Sequence, residues 1–131
     1  MAALLCAALP LFAGDTTAHQ RTAGARLAPP AALQCERNQL TSYQGAVKRL
    51  SLTEPTKICL TIETAWGSEE AFRLTGNEDS AIEAQMLWNG QAFSPANWET
   101  LKSGQELHAI AWVCEDNATP TVIDWRPTGI P

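Results

Sequence analysis

Basic charge, histidine and long apolar runs are all scarce in this chain, and each scarcity excludes something. It carries 9 Lys and Arg against 14 Asp and Glu, for a net charge of -5 and a pI near 4.9. From Cys35 onward the imbalance is seven against thirteen. A protein that tracks phosphates needs a surplus of Lys and Arg to release counterions. Lys48-Arg49 is the one adjacent basic pair, so nucleic acid is an unfavoured partner. The only histidines, His19 and His108, stand far apart, and no two cysteines form a CxxC pair. Neither a zinc site nor any other cofactor is expected. No GxSxG and no Cys/His arrangement accompanies His108. The paired carboxylates Glu69-Glu70 and Glu115-Asp116 fall in turns, where solvated acids are ordinary, whereas glycoside hydrolysis needs two carboxyls across a cleft. The expectation is a protein that binds rather than catalyses.

No apolar run is long enough for a spanning helix. Residues Ala2 to Ala13 are almost all small or apolar, but too few to cross a bilayer. They fit the apolar part of a secretory signal peptide, with Thr16-Thr17-Ala18 or Ala23-Gly24-Ala25 as cleavage sequences. No Lys or Arg precedes Arg21, so the basic start of such a signal is missing, and an Ala-rich extension of a cytosolic protein is the alternative. Neither Leu4-Leu5-Cys6 nor Leu33-Gln34-Cys35 has the small residue that precedes a lipidated cysteine. Residues 1–18 are read as the signal and residues 19–34, with Ala28-Pro29-Pro30-Ala31, as a linker. Residues 35–131 then form one folded domain, periplasmic or secreted, with no stable membrane span in the mature chain. Cys35, Cys59 and Cys114 remain in it. One disulfide and one buried thiol is the simplest division in an oxidising compartment; three small buried hydrophobes is the other.

What is present is β pattern. Gly45-Ala46-Val47-Lys48-Arg49-Leu50-Ser51-Leu52 reads as a strand with broken alternation, as a bend or bulge near Gly45 would produce. Lys57 to Thr64 alternates cleanly, with Ile58, Leu60 and Ile62 on one face and Lys57, Cys59, Thr61 and Glu63 on the other. Trp66-Gly67-Ser68-Glu69 turns the chain into a third strand, Glu70 to Leu74. Asp79-Ser80 caps a helix through Ala81 to Trp88, ended by Asn89-Gly90. Ser94 and Pro95 open a second, which Gly104 closes. Gln105 to Cys114 and Ala118 to Trp125 are two further strands around an acidic turn.

Three strands, a helical connection and two strands resemble the OB-fold, a five-stranded Greek-key barrel with its helix between strands three and four. The resemblance covers Tyr43 to about Arg126. It implies that strand four lies antiparallel beside strand one, which places Cys114 near Cys35 as a disulfide and leaves Cys59 as the unpaired thiol. Leu33-Gln34-Cys35-Glu36 and Cys114-Glu115-Asp116-Asn117-Ala118-Thr119-Pro120 also look like the paired-cysteine regions of the pentameric cell-binding subunits of bacterial enterotoxins, although Gly90 and Pro95 break the one long helix of that family. That likeness implies a lectin-like subunit that assembles into a ring.

Buried core is the default for the five tryptophans. Trp66 is the exception to watch, because an exposed ring there borders the face on which OB-folds commonly bind oligosaccharides or oligonucleotides. Lys57, Thr61, Glu63 and Arg73 would supply polar contacts, and Asp116 and Asn117 of the terminal hairpin complete the candidate ligand-binding set. The expected partner is an oligosaccharide, a peptide or a protein; a cytosolic single-strand nucleic-acid binder is the alternative from a different class.

Overall fold

A computed structural model describes residues 29–30, 33–53, 57–116 and 119–130. The proposed signal and most of the proposed linker lie outside these residues. The described chain forms one mixed sheet of seven strands: β1 (Leu40–Thr53), β2 (Lys57–Thr64), β3 (Glu69–Thr75), β4 (Met86–Trp88), β5 (Gln91–Ala92), β6 (His108–Cys114) and β7 (Val122–Arg126). Two short helices, α1 (Asp79–Glu83) and α2 (Asn97–Lys102), interrupt it. The sheet order is β3-β2-β1-β6-β7-β4-β5. Every pairing is antiparallel except β4 with β7.

The β-rich class agrees with the sequence; the closed five-stranded barrel does not. β3 and β5 end the sheet. The place beside β7 that would close a barrel is taken by β4, with Met86 opposite Ile123 and Trp88 opposite Trp125. The predicted helix from Ala81 to Trp88 is therefore cut short at Glu83. Its second half is a strand because an extended Met86 meets the Trp125 indole, whose Nε1–H donates to the thioether sulfur at 3.2 Å. The Ile123 N–H donates to the Gln85 carbonyl at 3.0 Å and the Asn89 N–H to the Trp125 carbonyl at 2.8 Å, fixing both ends of that parallel pair. The second helix starts at Asn97, two residues after Pro95. Asn97 Oδ1 accepts from the Ser94 N–H at 2.9 Å, so Ser94 is held by the helix rather than capping it.

The sheet curls. Ile58, Leu60 and Ile62 of β2, Leu74 of β3, Met86 of β4, Ala109 and Ala111 of β6, and Ile123 and Trp125 of β7 all enter one buried cluster with Ile82, Phe93, Leu101 and Leu107. β1 is where the curl originates. Its register with β2 shifts between Val47 and Arg49, a bulge that strengthens the local twist and sits a few residues beyond the expected Gly45. Gly45 has its own reason: a Cβ there would stand 2.0 Å from the Glu63 carbonyl oxygen, so only glycine lets the strands approach this closely.

Cys35 and Cys114 are joined, with Cα atoms 6.0 Å apart. The bridge ties the segment that enters β1 to the end of β6, beside the Leu40–Cys114 pair and a 2.9 Å bond from the Glu115 N–H to the Gln39 carbonyl. Cys59 corrects the expectation of an unpaired thiol. It too is disulfide-bonded, and none of the described cysteines is free. No helix among the described residues is long and apolar enough to cross a membrane.

Candidate ligand-binding face

Strand alternation builds the candidate face. With Ile58, Leu60 and Ile62 committed to the core, Lys57, Cys59, Thr61 and Glu63 are turned to the opposite side of β2. Register with β3 sets Thr75, Arg73, Ala71 and Glu69 beside them in that order. Lys57, Thr61, Glu63 and Arg73 of the predicted set thus share one surface. β1 adds charges along its border: Lys48 Nζ lies 3.3 Å from Glu63 and the Arg49 guanidinium 3.9 Å from Glu69. Both pairs are solvated, so they organise the face more than they stabilise the fold.

Trp66 stands at the end of this face, in the β2–β3 turn, and is 58 % exposed. It is the one large apolar side chain among the described residues to be so exposed. The other four tryptophans follow the default: Trp125 is fully buried, Trp112 is buried, and Trp88 and Trp98 pack edge-on against Phe93. The turn that carries Trp66 is braced. The Thr64 N–H donates to the Ser68 carbonyl and the Gly67 N–H to the Thr64 carbonyl, both at 2.9 Å. Thr64 Oγ1 accepts from the Trp66 N–H at 3.3 Å and lies 2.8 Å from Ser68 Oγ. Gly67 adopts a φ of 90°, which a side chain would resist. The backbone beneath the exposed indole is therefore held in place before any ligand arrives.

The remaining predicted site residues do not join this face. Asp116 belongs to the β6–β7 connection, where its carboxylate accepts from the Thr119 N–H at 2.9 Å and the Thr119 hydroxyl at 2.8 Å. That is turn chemistry, with the side chain holding the backbone two to three residues on. Asn117 lies outside the described residues. His108 opens β6, opposite Ala46 and Arg126. No three His, Cys, Asp or Glu side chains gather as a metal site among the described residues.

A second concave feature was not foreseen. Where β1 parts from the chain before β6, a cleft of about 440 Å³ opens, lined by Val47, Leu50, Leu52, Leu101 and Leu107 with Lys48 and Lys102. The run Val47, Leu50, Leu52 was visible in the sequence as broken alternation. That it overlooks an opening depends on where β6 stops pairing, which no local pattern encodes. Comparison with protein-family models, with curated proteins and with solved structures finds no match, so the functional reading rests on the geometry above.

Proposed function

We propose that this chain is an exported, non-catalytic binding domain whose ligand is an oligosaccharide, held on the β1–β2–β3 face against Trp66. One observation carries the reading: a large indole, 58 % exposed, on a turn braced by four hydrogen bonds around Thr64, beside a strip of hydroxyl and charged side chains. An aromatic face carries negative quadrupolar charge and attracts the polarised C–H groups of a sugar ring, while exposed hydrogen-bonding side chains read its hydroxyls. Thr61 and Glu63 are nearest along the strand, with Arg73 and Lys57 two and three register steps further. Charge on the face is mixed rather than basic, since Lys48 and Arg49 are paired with Glu63 and Glu69. That balance favours a neutral ligand over a phosphate chain.

Two further features support the wider reading. The neighbour order β3-β2-β1-β6-β7 is the strand path expected of an OB-like chain, and the domain is read as OB-like in that sense, with β4 inserted at the open end. The Cys35–Cys114 disulfide accords with export, because such bridges persist in oxidising compartments. The test is a panel of immobilised oligosaccharides probed with the protein and with Trp66→Ala. At least one oligosaccharide is expected to bind saturably, and the variant to lose roughly tenfold in affinity, the scale of one aromatic contact. If no sugar binds, or the alanine variant binds as well as the parent, the face is not a glycan site.

A further inference from the structure

The cleft beside β1 is a separate feature, on the far side of the bulge from the β1–β6 ladder. β6 pairs with β1 only from Leu40 to Ala46, and one more bond, from the Val47 N–H to the Leu107 carbonyl at 2.9 Å, ends the contact. β2 continues along the other side of β1 as far as Thr53. From Lys48 to Thr53, β1 is thus paired on one side alone among the described residues. In an antiparallel ladder successive residues direct their N–H and C=O to alternate sides. Every second residue of this stretch therefore offers a donor and an acceptor to the cleft. The same stretch supplies apolar side chains to it, since Leu50 and Leu52 are half-buried there beside buried Leu101 and Leu107.

We propose that this cleft binds an extended peptide that adds as a strand to β1, with apolar side chains alternating with at least one acidic residue. Each part of that description answers to an observation. The one-sided backbone calls for a partner with its own N–H and C=O groups, which is how a strand gains affinity from a sheet edge. A volume near 440 Å³ is within the range that takes one small ligand, and the leucines favour apolar residues at every second position of the added strand. The acidic residue answers to Lys102, which lines the cleft. Its ammonium lies 6.0 Å from the Trp98 ring and has no carboxylate partner among the described residues, whereas Lys48 is held by Glu63 at 3.3 Å. An aliphatic acid would fill the leucine floor and reach Lys102, but it would leave the backbone groups of β1 to water.

The test pans the full chain against a phage-displayed library of random dodecapeptides, then follows a selected synthetic peptide by calorimetry and by amide hydrogen exchange. Selected peptides are expected to alternate apolar residues with Asp or Glu, and binding should slow exchange at alternate amides between Lys48 and Thr53. Leu50→Ala and Lys102→Glu, each shown to be folded by near-ultraviolet circular dichroism, should each weaken binding at least fivefold. The proposal is overturned if no peptide is selected, if the protected amides lie elsewhere, or if both variants bind as the parent does. Saturable one-to-one binding of dodecanoate with no protected amides in this stretch would overturn it in favour of an amphiphile site.

Discussion

Asp124 is 3 % exposed in the middle of β7, and its two oxygens serve different parts of the fold. Oδ1 accepts from the Gly90 N–H at 3.0 Å, and Oδ2 from Arg126 at 2.8 and 3.2 Å. A buried carboxylate is retained only when its lone pairs are occupied, and here they fasten the β4–β5 turn to the strand that β4 joins. Asp124→Ala orphans the Gly90 N–H and leaves the mostly buried Arg126 guanidinium without its anion. Urea unfolding should show a loss of about 2 to 4 kcal/mol. Asp124→Asn keeps an acceptor toward Gly90 and should lose roughly half as much; equal losses in both variants would mean that the charge, not the Gly90 bond, is what matters. Neither partner could be named from the sequence, where Asp124 is merely a polar residue in a strand. Trp66 is the opposite case. A tryptophan followed by glycine and serine between two alternating runs reads as a turn residue, and a turn residue is exposed.

The elements that the sequence made legible are those whose pattern is local. β2 is found at its predicted bounds because Ile58, Leu60 and Ile62 need one buried face and nothing else. β4 was misread because Met86-Leu87-Trp88 fits a helix face as well as a strand, and the decision lies with Trp125 and Ile123, far along the chain. One local signal did point the right way. Asn89 and Gly90 both have positive φ, 54° and 83°, the conformation of a two-residue hairpin turn, and Asn-Gly is the dipeptide that such turns prefer; taken as a helix stop, it hid the β4–β5 hairpin. β1 illustrates the same limit. Its bend was legible from Gly45 and the broken alternation, but the close approach to Glu63 was not. Gly45→Ala forces a Cβ against the Glu63 carbonyl, so β1 must lift from β2 at the point where the sheet curls. Thermal and urea unfolding should register about 2 to 3 kcal/mol of destabilisation, the scale of overpacking in a fixed interior. A neutral outcome would show that the two strands can part there without loss.

Across the whole molecule, an open curled sheet needs its entering and leaving segments fastened, since no strand closes it. The Cys35–Cys114 bridge does this at the end where β1 begins and β6 ends. The same end holds the Gln39–Glu115 backbone bond and a 3.5 Å contact from the Thr119 hydroxyl to the Gln34 carbonyl. The cysteines are separated by 79 positions, and constraining so long a loop in the unfolded chain stabilises the native state by about 4 kcal/mol in the entropic account of disulfides. Because the contacts around Gln39 and Asp116 persist without the bond, the double variant Cys35→Ala/Cys114→Ala should still fold. Its melting temperature should fall by roughly 10 to 20 °C, as expected for a loss of that size in a domain of this length. Oligosaccharide binding at the Trp66 face should survive below the new transition, because the β2–β3 turn is braced within itself. Loss of sugar binding in a variant that remains folded would show that the fastening reaches the face, and the two ends of β1 would then have to be treated as one unit.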